Sequence, residues 1–278
     1  MKPIAKQSDK KAAFTIIELL TVMSIIILLI GLLVPGLNLI RRYAKGVKQK
    51  AQFHSIGIAL ELFNAEWDGY PPSEALGGAG NPYCGAMKLA EAMVGKDMCG
   101  FNPDSDFTAD LGTPPLYGPG ATLIGRKQYL KLEGANAETI GSLYNNAQQF
   151  FGSNDEVVLC DVYAHRTPTT GERVGMPILY YRANTSNTSH LPPPAPPGEN
   201  IYNYEDNKEL IALKTYEGED HLLDPAAPAP AGVTLFYEEI KNKKISIPRP
   251  YRADSYILIS AGFDGNYGTK DDVLNFQK

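Results

Sequence analysis

The longest unbroken apolar run lies near the start of the chain, from Phe14 to Ile40, FTIIELLTVMSIIILLIGLLVPGLNLI. It holds 27 residues and one ionisable side chain, Glu18. At roughly 1.5 Å per residue a helix of that length covers about 40 Å, enough to cross a hydrocarbon core of ~30 Å. Beyond Ile40 the pattern turns from apolar all round to one-sided. Phe53, Ile56, Leu60, Phe63 and Trp67 recur at spacings of three and four, one stripe on a helix, while Lys45, Lys48, Lys50 and Glu61 fall largely off it. The pattern predicts a continuous helix over about 14–66. Its first half suits a membrane or a helical bundle, and its second half suits packing on a domain. Asp68-Gly69-Tyr70-Pro71-Pro72 stops it, because glycine closes a helix and proline cannot extend one.

Downstream the periodic signal weakens. Residues 74–156 are rich in Gly, Pro, Asn and Asp, with short helical patches at Ala86–Val94 and Ala137–Phe151, and they read as a long insertion. The β-branched and aromatic runs Val157–Tyr163, Ile178–Arg182, Val233–Tyr237 and Tyr256–Ser260 are the strand candidates. A second insertion, 183–232, contains the extended spacers NTSNTSHLPPPAPPGEN and DPAAPAPAG. No internal repeat is present.

Charge adds direction. The formal net charge is −5; the first 13 residues contribute four Lys against one Asp, which leaves residues 14–278 at −8. The basic leader stays cytoplasmic by the positive-inside rule and the bulk of the chain is exported, although Arg41-Arg42 reduces the asymmetry. An acidic exported domain does not hold a phosphate backbone by bulk electrostatics, so no nucleic-acid partner is expected. Cys84, Cys99 and Cys160 would then sit in an oxidising space, with their pairing open. His54, His165, His190 and His221 are scattered, and no HExxH, GxSxG, P-loop or GxGxxG motif occurs, so the chain is not expected to be an enzyme.

The C-terminus concentrates the remaining chemistry. Ser260 to Val273, SAGFDGNYGTKDDV, places three carboxylates in a turn hinged by Gly262, Gly265 and Gly268, directly after a strand candidate. Hard cations such as Ca²⁺ take six to eight oxygens, and a tight turn can converge them. The EF-hand template fits poorly, since its sixth position would be Thr269 and its twelfth Asn275.

A secretory signal carries its small-residue cleavage site after the apolar run, whereas here Ala12-Ala13 precedes it. The Lys-rich leader followed by FTIIELL resembles the class III signal of type IV prepilins and type II secretion pseudopilins. The resemblance implies that a prepilin peptidase cuts between Ala13 and Phe14 and methylates the new N-terminus. Glu18 becomes the fifth mature residue, where the family pairs a carboxylate with a neighbouring subunit's amine during assembly. Pro35 falls where the family has a helix-kinking proline, and ALELFNAEWDGYPPS is similar to the segment where its long helix enters the first loop. Ala13 stands where the family usually has Gly.

The C-terminal turn is similar to the calcium loop of major pseudopilins, SxGxDGxxGTxDD. That likeness puts Asp264, Asp271 and Asp272 on carboxylate ligand positions and Ala261 on a backbone-carbonyl position. Together the two stretches imply an α+β, pilin-like fold with a long N-terminal helix on an antiparallel sheet and large loop insertions. The expected divisions are a leader at 1–13, a transmembrane and filament-core helix at 14–40, and a periplasmic domain at 41–278. That domain comprises the rest of the helix at 41–67, the variable insertion at 74–156, and the sheet with its calcium loop at 157–278. The implied role is a structural subunit of a type II secretion pseudopilus, held in the inner membrane, partnered by prepilin peptidase, other pseudopilins and the secretion machinery, and assembled into a filament. The alternatives are a type IV (minor) pilin for adhesion, motility or DNA uptake, and a monomeric membrane-tethered periplasmic binding protein. Glu18 separates filament from tether, because a simple anchor gains nothing from a carboxylate in lipid.

Overall fold

The computed structural model describes residues 15–75, 81–109, 115–192, 197–226 and 232–276. The chain divides into two compact units, Met1–Ala44 and Lys45–Lys278. One helix, α1 (Ile16–Trp67), contributes to both.

In the first unit the apolar side chains of α1 are solvent-exposed, from Ile16 and Ile17 through Leu28 and Leu29 to Leu39 and Ile40. This is a helix long and apolar enough to cross a membrane. Its hydroxyls are turned back onto the helix: Thr21 Oγ1 donates to Ile17 O at 3.0 Å and to Glu18 O at 2.9 Å, and Ser24 Oγ donates to Leu20 O at 2.8 Å. Such back-bonding satisfies a polar group where water is absent.

The second unit is α+β, the rest of α1 with small antiparallel sheets. In chain order it continues with α2 (Gly85–Val94), α3 (Leu132–Ala135), β1 (Ala137–Thr139), α4 (Ile140–Leu143), α5 (Ala147–Phe151), β2 (Val157–Leu159), β3 (His165–Arg166) and β4 (Arg173–Val174). Then come β5 (Leu179–Arg182), α6 (Lys208–Ile211), α7 (Val233–Ile240), β6 (Tyr256–Ser260) and β7 (Val273–Leu274). The strands pair as β1-β2, β3-β4 and β5-β6-β7. In the three-stranded sheet Tyr180 lies opposite Leu258, Tyr181 opposite Ile257, and Ile259 opposite Leu274.

Period-two alternation gives this sheet two apolar faces. Tyr180, Tyr256 and Leu258 pack with Phe53, Ile56, Leu60 and Phe63 of α1 and with Leu89 and Met93 of α2. Tyr181, Ile257 and Ile259 pack on the other side with Tyr202, Tyr204, Ile211, Phe236 and Tyr237. The stripe legible in the sequence is thus core from Phe53 to Phe63. Trp67 at its end is 40% exposed and donates Nε1–H to Tyr129 Oη at 2.7 Å.

Several expectations change. Val233–Tyr237, read as a strand, is the first part of α7: Phe236, Tyr237 and Ile240 lie on one helical face, and a short apolar run cannot separate buried helix from buried strand by periodicity. Strand β2 ends at Leu159 instead of reaching Tyr163, because Asp161 turns into a hydrogen-bond network. The patch 137–151 begins as strand β1, paired with β2, before its two short helices. Residues 74–156, read as a variable insertion, contribute helix α2 to the core. All ten residues of α2 are buried, and a Cβ on Gly85 would lie 2.3 Å from Tyr180 O, so only glycine allows that approach to β5. Segment 183–232 likewise supplies Ile201, Tyr202, Tyr204, Leu210, Ile211 and Leu223 to the core. The three cysteines are free thiols, with Cys84 and Cys160 buried and Cys99 exposed.

Candidate functional site

Strand β6 is buried along its whole length and delivers the chain into the acidic turn. At its end Ser260 Oγ donates to Asp161 Oδ2 at 2.7 Å, and Asp161 Oδ1 accepts from Tyr163 N at 2.9 Å and Met176 N at 3.2 Å. Ala261, the expected carbonyl ligand, is fully buried next to this anchor. The turn then needs glycine. Gly262 has φ +69°, and a Cβ there would lie 2.2 Å from Asp271 O.

That close approach brings Asp264 and Asp271 together. Asp271 Oδ2 accepts from Phe263 N at 2.9 Å and Asp264 N at 3.0 Å, while Thr269 Oγ1 donates to Asp271 Oδ1 at 2.6 Å. The two carboxyls are within hydrogen-bonding reach of each other. Burial, and then the neighbouring Asp271, raise Asp264 above the ordinary carboxylate range. Burial also acts to raise Asp271, but the hydrogen bonds from Thr269, Asp264 and the backbone outweigh it and its carboxyl lies low. Asp272 stands apart from this pair. Its Oδ2 accepts from Gly268 N at 2.8 Å, and its Oδ1 is buried without a partner.

The turn is fixed to the rest of the domain from several sides. Asn266 Oδ1 accepts from Leu222 N at 2.9 Å, and Leu223 N donates to Tyr267 O at 3.1 Å. Tyr267 N donates to His221 Nδ1 at 3.2 Å, and burial pushes His221 down to about 4, so the ring is neutral with Nδ1 as acceptor. Lys45 of α1 places its ammonium 5.5 Å from the Phe263 ring centroid.

The donor set of the pair is hard oxygen only, from Asp264, Thr269 and Asp271, which fits a hard cation such as Ca²⁺. The crowded carboxylates of Asp264 and Asp271 are what such a cation would neutralise. Among the described residues, no group of three or more His, Cys, Asp or Glu side chains converges on one point, so any further ligands must come from carbonyls, hydroxyls or water.

Of the other expected site residues, Ala13 and Phe14 lie outside the described residues. Glu18 is exposed, and Thr15 N and Thr15 Oγ1 both donate to its Oε2, at 2.8 and 2.6 Å. Glu18 N in turn donates to Thr15 Oγ1 at 3.3 Å, so the two residues form a capping box at the start of α1. Sequence reasoning assigned no role to Asp161 or His221. Asp161 alone left a local signal, a carboxylate interrupting the apolar run VVLCDVY.

No family model, curated protein or solved structure matches this chain.

Proposed function

We propose that this protein is a non-enzymatic, pilin-like structural subunit of a type II secretion pseudopilus. The observation that carries the reading is the division of α1. Its first half is an exposed apolar rod whose one carboxylate sits at its start, and its second half is packed on an antiparallel sheet that ends in an acidic, glycine-hinged turn. An anchor needs only the first half; the carboxylate and the continuous passage into the domain suit a subunit that leaves the membrane for a filament.

On this reading the apolar half holds the subunit in the inner membrane with its domain in the periplasm. Prepilin peptidase cuts between Ala13 and Phe14 and methylates the new amine. Glu18 then pairs with the amine of a neighbouring subunit, which offsets the cost of a carboxylate in an apolar surround. Calcium, held by Asp264 and Asp271 with Asp272 and the Ala261 carbonyl alongside, clamps the C-terminus to β6. N-terminal sequencing and intact mass of the protein from its native host test the reading. The expected mature chain begins at Phe14; one that begins beyond Ile40 sinks it.

A further inference from the structure

A cavity of about 770 Å³ opens beyond the C-terminal end of α2, within the size range of small-molecule sites. Met98, Phe151 and Val157 give it apolar walls, and Lys96, Tyr117 and Glu156 bring polar groups to it. Glu156 is only 6% exposed, and its Oε2 is buried with no hydrogen-bond partner. Behind it lies a second buried carboxylate, Glu91, whose oxygens accept from Tyr83 Oη at 2.8 Å and Ser105 Oγ at 2.5 Å. Glu91 is satisfied; Glu156 is not.

The charges do not balance. Lys96 is the ammonium that acts on both carboxylates, but its Nζ donates to Thr108 O and sits 4.4 Å from the Tyr83 ring centroid. Asp97, also on the wall, is neutralised by Arg126 at 2.7 Å. Two buried carboxylates therefore share one cation, with Asp155 at the rim adding to the excess. A carboxylate in so buried a wall is costly, and a donor carrying positive charge relieves that cost most fully.

We propose that this cavity binds an organic cation, a primary amine whose ammonium pairs with Glu156 and whose apolar body lies against Met98, Phe151 and Val157. The ammonium supplies a second positive charge, which the described residues of the wall do not. The inference stands on this cavity alone and is independent of the filament reading. Burial pushes the Glu156 carboxyl up to about 7, with Lys96 holding it back and Glu91 and Asp155 adding to the rise. A proton thus takes the role that the amine would fill.

The test is calorimetry on the full chain in lipid nanodiscs, with empty discs as blank. The probes are 2-phenylethylamine, its neutral counterpart 2-phenylethanol, and the anion 3-phenylpropionate. The amine is expected to bind saturably and roughly tenfold or more tighter than the alcohol, as a charge-assisted contact implies, with the acid weakest. Glu156→Gln should bring the amine down to the level of the alcohol. No saturable amine binding, equal affinity for the alcohol, or undiminished selectivity in Glu156→Gln overturns the proposal. Should the variant lose its native circular dichroism, the comparison of the three probes on the native chain decides alone.

Discussion

Ser73, six residues past the end of α1, donates its hydroxyl to Asp206 Oδ2 at 2.5 Å, across 133 positions of sequence. The same Ser73 Oγ accepts from Arg182 N at 2.9 Å. One serine thus joins the exit of the long helix, strand β5 and the 3₁₀ turn Tyr204–Asn207, which lies in the segment read as a second insertion.

Asp206 makes that junction sensitive to pH. Burial pushes its carboxyl up to about 7, Glu74 adds to the rise, and Ser73, Lys88 and Arg182 oppose it. In the unfolded chain the value is about 3.9. The folded state therefore holds a proton that the unfolded state has released, and this contribution to stability is full below about pH 4 and lost as pH rises through about 7. Asp206→Asn keeps an acceptor for Ser73 and removes the charge. Relative to the native chain it should gain roughly 1–3 kcal/mol between pH 5 and pH 8, read from denaturant melts at both values. An unchanged difference between the two proteins across that range contradicts the assignment.

Calcium should stabilise the folded domain by mass action, about 2.7 kcal/mol at a hundredfold excess over the dissociation constant. The full chain in detergent is expected to melt higher with Ca²⁺ than with chelator. Asp264→Ala or Asp271→Ala should erase that difference. Asp272→Ala should lower the melting point with or without the ion, because it also removes the acceptor for Gly268 N. If calorimetry shows neither calcium heat nor a chelator-sensitive transition, the loop is a solvated turn.

The capping box at Thr15 and Glu18 gives the assembly role a sharper test than charge removal alone. Glu18→Gln retains an acceptor for Thr15, whereas Glu18→Leu loses both acceptor and charge. Both variants should insert into membranes, and both should fail to form filaments if the carboxylate pairs with an amine. Filaments from the Gln variant but not from the Leu variant would reassign Glu18 to helix capping. Normal filaments from Leu would remove both roles.

The thiols offer a simple check on the core. Burial pushes Cys84 up to about 12 and raises Cys160 well above the ordinary thiol range, while Cys99 is exposed. Maleimide should add once to the native chain, at Cys99, and three times after denaturation. No addition without reductant would instead place Cys99 in a disulfide.

The sequence made some of this plain because certain signals are local. The switch of α1 from apolar to striped, the strands at Leu179–Arg182 and Tyr256–Ser260, and the hinge glycines of the acidic turn each show within a few residues. Helix α7 did not, since VTLFY satisfies strand and helix alike until its partners Tyr181 and Tyr204 are known. Nor could the pairing of Glu91 with Glu156, or the separation of Asp272 from Asp264 and Asp271, be read from spacing. Adjacent carboxylates in a turn point wherever the backbone sends them, and distant ones meet only through the fold.

The hydroxyls of Thr21 and Ser24 have a consequence for helices that meet in hydrocarbon. With both bonded to their own backbone, the stretch from Ile16 to Val34 presents no spare side-chain donor to a neighbour. Two such helices side by side would slide against each other on smooth, interchangeable hydrocarbon. Glu18 is the one ionisable group along that surface, so on the filament reading this residue near the end of the rod would serve as its register pin.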